Sequence, residues 1–260
     1  MKDFEKIKHH IVSWLDDYCQ NASKDGFVVG VSGGIDSAVT SLLCAETGRK
    51  VILVNMPIRQ SSAEVDRARE HVEQLVNTYS NVSTRHIDLN LVFEEFSSCF
   101  GEEDLSEQAM ANSRSRMRMV TLYQIATPNN LLVCGTGNKI EDFGVGFYTK
   151  YGDGGVDLSP IADLVKSEVF NLGRMLGVID SILQAKPTDG LFDDTRGDED
   201  QLGASYDELE WAMENVLASP ERCTDRQCEV LEIYKGHNQR NQHKMLPVPV
   251  CKISTERLKN

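Results

Sequence analysis

The chain has 260 residues, with 27 Lys and Arg against 40 Asp and Glu, which gives a formal net charge of −13 at pH 7. This excess of acidic residues argues against a protein that binds nucleic acid or an anionic membrane over a broad surface, because both kinds of binding need an excess of Lys and Arg. No segment approaches the roughly 18 consecutive apolar residues of a membrane helix. The charged start MKDFEKIKHH lacks the apolar core of a secretory signal.

The apolar pattern predicts strands that alternate with helices. An amphipathic helix comes first, with apolar residues from Phe4 to Tyr18 at helical spacing. Short apolar runs without polar alternation then predict strands that are buried on both faces. The segments at 27–31 and 51–55 are of this kind, and 82–87 and 131–134 are candidates for a third and a fourth strand. The helices between the strands are 38–44, 61–79 with a capping box at Ser61 and Glu64, and 105–126.

This alternation predicts an α/β fold, a Rossmann-like doubly wound parallel sheet with helices on both faces. We expect one domain over residues 1–260. Its parts would be an N-terminal helix (1–25), a βα core (26–135), a glycine-rich segment (136–187), an acidic segment (188–204), and C-terminal helices with a tail (205–260). Much of the negative charge is local, since residues 188–214 hold ten acidic residues and one basic residue.

The seven cysteines occur without a Cys-x-x-Cys pair. Their odd number and their spacing predict neither a disulfide framework nor a zinc site. We therefore expect a protein of the reducing cytoplasm.

The segment GVSGGIDS stands where the first buried strand ends and a helix begins. Two glycines permit a tight turn, and the free amides at a helix start attract phosphate. The segment lacks the Lys of the common phosphate-loop pattern and carries a carboxylate instead, which predicts an intervening Mg²⁺. The alternative is a purely structural turn. The candidate nucleotide-binding residues are Gly30, Val31, Ser32, Gly33, Gly34, Ile35, Asp36 and Ser37.

A second segment, GTGNKIE, follows the fourth strand and should reach the same edge of the sheet. Thr136 offers a hydroxyl group and Glu141 a carboxylate. Asp36 and Glu141 would then face one metal ion as oxygen ligands from two strand ends. The alternative is a surface turn with a solvated Glu141.

The SGGxDS sequence resembles the pyrophosphatase loop of the N-type ATP pyrophosphatases, which have an adenine nucleotide α-hydrolase-like fold. Several further segments, in consistent order over about residues 27–247, resemble the ammonia-dependent NAD synthetases. They are GFYTKYGDGGVD at 146–157, SP at 159–160, LVK at 164–166, RMRM at 116–119, KPT at 186–188, DE at 198–199, LG at 202–203 and HK at 243–244.

This resemblance implies ATP-dependent amidation of deamido-NAD to NAD with ammonia, through an acyl adenylate and with release of AMP and pyrophosphate. It implies ATP as cosubstrate, Mg²⁺ as cofactor and a homodimer with substrate near the interface. The 30–37 loop, Thr136, Lys166 and Thr188 would contact ATP, and Asp36 and Glu141 would bind Mg²⁺. Residues Arg116, Lys150, Asp157, His243 and Lys244 would contact deamido-NAD. The basic residues Arg116, Lys150, Lys166, His243 and Lys244 should make the site basic.

Three finer expectations follow. Asp153, in the glycine-rich block, is our candidate for the proton acceptor from ammonium, and Phe147 or Tyr148 would stack on the nicotinate ring.

The acidic 188–204 segment would be a lid over ATP or a solvated loop. About 26 residues precede the first strand, too few for the glutaminase domain of the glutamine-using relatives, so ammonia should be used directly.

Two other functions remain open on the sequence. One is another amidating or thiolating ATP pyrophosphatase. A thiolase would typically need reactive cysteines and a basic RNA-binding surface, and the block Lys150–Asp157 fits a GMP-synthetase-like module poorly. The other is a noncatalytic ATP sensor on the same scaffold, since a fold does not fix a function. A sensor would need no metal-binding carboxylates at the phosphates.

Overall fold

The architecture is a four-stranded parallel sheet in the order β3-β2-β1-β4. It is seen in a computed structural model that describes residues 2–188, 190–192, 196–217 and 223–253. All four predicted strands are present. The first and second begin one residue earlier than predicted, and the first and third end one residue earlier. They are β1 (Gly26–Gly30), β2 (Lys50–Asn55), β3 (Val82–His86) and β4 (Leu131–Cys134).

Ten α-helices surround the sheet in the part of the chain that the structure describes. The predicted capping box of α3 is present, because Ser61 Oγ accepts from Glu64 N and Glu64 accepts from Ser61 N. None of the helices within the described ranges combines the length and apolar character needed to cross a membrane. The helices are α1 (Phe4–Asn21), α2 (Ile35–Glu46), α3 (Ser62–Thr78), α4 (Asn90–Ser98), α5 (Glu107–Ala126), α6 (Lys166–Leu176), α7 (Asp180–Leu183), α8 (Asp198–Leu202), α9 (Tyr206–Glu214) and α10 (Asp225–Met245).

Both faces of the sheet are covered, as the unbroken apolar runs predict. Successive residues of a strand point to opposite faces. Phe27 and Val29 of β1 therefore pack against α1, α2, α3 and α6, while Val28 packs on the other side with α4 and α5. The doubly wound α/β prediction is confirmed.

The strand order fixes where a ligand can bind. From β1 the chain passes to β2 and β3 on one side, and β4 later returns to the other side of β1. The loops after β1 and β4 thus leave the sheet in opposite directions and open a crevice at its carboxyl edge. Both glycine-rich segments of the sequence follow these two strands.

A third cluster of buried side chains joins the second glycine-rich segment to the C-terminal helices. A π-helical turn, Ile140–Val145, packs Ile140 and Val145 against α9 and α10. Gly146 ends this turn at φ +65°, and a Cβ there would lie 2.4 Å from Asn241 Cβ. Only glycine permits this close approach, which holds the turn that carries Glu141 against α10.

His71 on α3 forms a buried polar contact with α2. Its Nε2 lies 2.8 Å from Ser41 Oγ, which itself donates to the carbonyl of Ala38. Since the hydroxyl hydrogen is used on Ala38, the imidazole donates to Ser41 and is neutral. Burial lowers the pKa of His71 to about 4.

We expect this buried histidine to weaken the fold in acid. Its folded pKa lies below its unfolded pKa of about 6.5, so its contribution is complete above that value and is lost as the pH falls toward 4. Relative to His71→Gln, which keeps a donor and cannot be protonated, the wild type should lose about 2 kcal/mol more unfolding free energy between pH 7.5 and 5. Urea titrations at both pH values measure this, and identical pH dependence in the two proteins would contradict it.

Candidate active site

Two serines in the loop between β1 and α2 form hydrogen bonds with the backbone of that loop. Ser37 Oγ accepts from Ser32 N at 3.2 Å and donates to the Gly34 carbonyl at 3.1 Å, while Ser32 Oγ accepts from Gly34 N at 3.2 Å. Gly33 has φ +88°, and a Cβ there would lie 2.5 Å from the Glu64 carbonyl oxygen of α3. Helix α2 begins without a side-chain cap, so its first amides are available to an anion in the crevice.

A buried lysine lies beside this loop and joins two carboxylates. Lys166 Nζ is 2.5 Å from Asp36 Oδ2 and 3.0 Å from Glu141 Oε1, and its side chain is only 4% exposed. Burial acts to lower the pKa of Lys166, but the two carboxylates outweigh it and raise the pKa above its ordinary value. The ammonium group therefore stays charged. The first turns of α2 and α6 and the π-helical turn meet here.

Two further side chains hold these carboxylates in place. Asn138 Nδ2 donates to Asp36 Oδ1 at 3.2 Å, and its Oδ1 accepts from the amides of Ile140 and Glu141. The Tyr206 hydroxyl is 2.6 Å from Glu141 Oε1 and 3.1 Å from Asp198 Oδ2. The sequence analysis did not single out Asn138 or Tyr206. Asn138 lies within GTGNKIE and could have been suspected, whereas no local pattern indicates Tyr206.

One cleft brings together the residues predicted to contact ATP. Glu141 and Asp153 lie on its wall, together with Phe147 and Tyr148, the two candidates for ring stacking. The ATP candidates on its wall are Gly30, Val31, Ser32, Gly33, Gly34, Ile35, Asp36, Ser37, Thr136, Lys166 and Thr188.

Asp153 is anchored through one oxygen. Its Oδ1 accepts from Ser115 Oγ at 2.6 Å and from Thr149 N at 3.0 Å. The residue is exposed, and it lies on the wall of the cleft. Burial raises the pKa of Asp153, and the hydrogen bonds from Ser115 and Thr149 oppose that rise. A carboxylate of raised pKa facing the cleft is suited to accept a proton.

Four of the residues predicted to contact deamido-NAD form a separate group outside the cleft lining. Arg116 Nε donates to the Lys150 carbonyl, and Lys150 Nζ donates to the His243 carbonyl. Lys244 Nζ donates to the carbonyls of Gly146 and Tyr148. This cluster links α5 and the glycine-rich segment to the end of α10.

Asp157 is placed apart from that cluster. Its carboxylate accepts from Val133 N at 2.8 Å and from the Tyr123 hydroxyl at 3.0 Å. In this arrangement the side chain fastens the end of the glycine-rich segment to β4 and α5.

The cleft differs from the expected basic site. Six carboxylates and four basic side chains line its described part. Arg116, Lys150, His243 and Lys244 lie elsewhere, and the sequence could not show that the carboxylates gather here. One of them is Asp142, which packs on Gly137; burial, then Glu141 and Asp153, raise the pKa of Asp142 to about 8.

The predicted lid is only partly within the described structure. Thr188, Leu191 and Asp198 line the cleft, so described parts of the acidic segment lie beside it. Asp189 and residues 193–195 lie outside the described residues.

Comparison with known proteins identifies the family of the chain and its fold. The family model for NAD synthase matches residues 7–247. The NH(3)-dependent NAD(+) synthetase of Methanosarcina acetivorans is 35% identical over 259 residues, 96% of this chain and 99% of the relative. That of Archaeoglobus fulgidus is 34% identical over 96% of this chain and 98% of its own length.

A solved structure of NMN synthetase from Francisella tularensis is 30% identical and superposes with a TM-score of 0.85, covering 97% of this chain and 100% of its own. Sequence and fold thus agree over almost the whole length of the chain. The chain belongs to the NAD synthase family.

Proposed function

We propose that the protein amidates the nicotinate carboxylate of deamido-NAD with ammonia, converting ATP to AMP and pyrophosphate. The observation that carries this proposal is the meeting of Asp36, Glu141 and Lys166 at the carboxyl ends of β1 and β4, beside a loop of open amides. A nucleotide sensor needs no such paired carboxylates beside the phosphates. The seven free cysteines support a reducing compartment such as the cytoplasm.

Asp36 and Glu141 are suited to hold Mg²⁺ with ATP. Both contact the same ammonium nitrogen, so they lie close enough to share a cation. Across the described residues no cluster of three or more His, Cys, Asp or Glu forms a complete metal cage. That agrees with Mg²⁺, which typically takes one or two carboxylates and completes its shell with substrate phosphates and water. When bound, the ion would offset the negative charge of the cleft and of the triphosphate.

The first step activates the acid, since a carboxylate has no adequate leaving group for attack by ammonia. A carboxylate oxygen bonds to the α-phosphorus of ATP, the bond to pyrophosphate breaks, and an acyl adenylate forms. The protein contributes by positioning the reactants and by fixed positive charge. The uncapped first amides of α2 and the Lys166 ammonium group supply that charge.

In the second step ammonia attacks the acyl carbon and AMP leaves. Ammonium must first lose a proton, and we propose that Asp153 receives it. Ser115 and Thr149 hold Oδ1 of this carboxylate on the wall of the cleft. Phe147 and Tyr148 line the same wall and offer aromatic faces for the nicotinate ring.

We propose further that a second copy of the chain completes the site for deamido-NAD. Arg116, Lys150 and His243 lie on a face that also exposes Val120 and Tyr151, 61% and 56% exposed. Basic and apolar groups side by side suit a contact between subunits with a substrate beside it. Asp157 and Lys244 would serve the same substrate near this face.

A second candidate substrate is nicotinate mononucleotide. The Francisella tularensis relative is named an NMN synthetase and aligns over all of its length. The residues expected to contact deamido-NAD lie outside the cleft, on the outer face. Selection between deamido-NAD and nicotinate mononucleotide should therefore depend more on that face than on the cleft. Both acids present the same carboxylate to ATP.

The test is to supply ATP, Mg²⁺, ammonium and either acid with ¹⁸O in its carboxylate. We expect AMP, pyrophosphate and amide in equal amounts, one ¹⁸O in AMP, and a higher kcat/KM for deamido-NAD. Lys150→Ala should lower kcat/KM for deamido-NAD more than for the mononucleotide. Formation of ADP and phosphate, or tight ATP binding without turnover, would contradict the reaction, and a preference for the mononucleotide would select the second candidate.

Asp153→Asn should slow the ammonia step specifically. We expect kcat/KM for ammonium to fall about 100-fold or more, because the variant cannot accept a proton. The residual rate should rise with pH as free ammonia becomes more abundant, while ATP–pyrophosphate exchange continues. The matched control is Asp163→Asn, whose side chain is 96% exposed and pairs with Lys139. Unchanged ammonium kinetics across the pH range would exclude this role for Asp153.

A further inference from the structure

The two sides of the phosphate loop carry different cations. On the side of β4, the Lys166 ammonium group is engaged by Asp36 and Glu141. On the side of β2, helix α3 packs against Gly33 and contributes Arg67 to the wall of the cleft. Because β1 lies between β2 and β4, the two basic groups approach the loop from opposite sides.

Arg67 is fixed to the loop through one atom. Its Nε donates to the Gly33 carbonyl at 3.3 Å, and the side chain is half-buried. A guanidinium group has five N–H donors in a rigid fork, so its two terminal nitrogens remain for another partner. Among the residues that the structure describes, Arg67 makes no ion pair.

The acidic residues near Arg67 on α3 contact other groups. Glu64 accepts from Ser61 N at 3.2 Å and from Ser61 Oγ at 2.8 Å. Asp66 pairs with Arg69, and Glu70 accepts from Ser181. The positive charge of Arg67 is therefore not neutralised by an acidic residue of α3, and Arg67 lies on the wall of the cleft.

We propose that Arg67 binds the β- and γ-phosphates of ATP and holds pyrophosphate as it leaves. This inference rests on the proposed function and deepens it. As the carboxylate oxygen bonds to the α-phosphorus, the bond from phosphorus to the bridging oxygen breaks and its electron pair passes to pyrophosphate. The loop lacks a lysine and Lys166 is shared with two carboxylates, so a further cation beside the phosphates would stabilise this growing charge. An arginine fork matches two phosphate oxygens.

The test compares Arg67→Ala with Arg69→Ala, which removes an arginine that is 61% exposed on the same helix. Arg67→Ala should raise the inhibition constant for pyrophosphate and the KM for ATP about tenfold or more, the loss of one charged hydrogen-bonding group. The KM for the acid substrate and the thermal midpoint should stay near wild type. Arg67→Lys should recover part of the effect, and Arg69→Ala should behave as wild type.

Unchanged pyrophosphate inhibition in a folded Arg67→Ala enzyme would overturn the inference. So would an equal loss of affinity for every substrate together with a lower thermal midpoint, since that indicates a structural role through Gly33. Failure of the proposed function is distinguishable, because the wild type itself would then release ADP and phosphate or would not turn over.

Discussion

The buried ion group of Lys166, Asp36 and Glu141 is the interaction on which the rest of the site depends. None of the three charges can be buried alone without a large desolvation cost, and removing one partner of such a group typically costs about 3–5 kcal/mol. The group therefore requires that α2, α6 and the turn after β4 come together. Through Tyr206, which contacts Glu141, it also couples the C-terminal helices to the edge of the sheet. Six carboxylates and four basic side chains line the described part of the cleft beside this group, a surplus of negative charge that suits the proposal that ATP enters with a divalent cation.

The sequence predicted the framework because its signals are local. Unbroken apolar runs marked the strands, and the capping residues Ser61 and Glu64 marked the start of α3. Since parallel strands end at one edge, the loops holding Asp36 and Glu141 could be expected to meet. The role of Lys166 was predicted only from the resemblance to a family. Its position gave no signal, because a lysine at a helix start is ordinarily a solvated charge.

The remaining features depend on contacts between distant segments. Tyr206 reaches Glu141 across 65 residues, and no periodic pattern announces such a pair. The turn over Ile140–Val145 is π-helical, a period that ordinary helix and strand patterns do not reveal. Asp142 looks like a solvated acid in the sequence, yet it lies against Gly137. Four of the basic residues that the resemblance implied for the site lie on the neighbouring outer face, a placement that no local pattern in the sequence reveals.

The central claim is that the Lys166 ammonium group, held by two carboxylates, assembles the site for adenylation. The most direct measurement is the single-turnover rate of pyrophosphate release in Lys166→Met, compared with Lys139→Met, which removes a more exposed lysine paired with Asp163. The claim predicts that Lys166→Met remains folded in saturating Mg²⁺ and ATP but releases pyrophosphate about 100-fold or more slowly, while Lys139→Met matches the wild type. A rate for Lys166→Met within about threefold of the wild type, smaller than the loss of any single strong electrostatic contact, would contradict it.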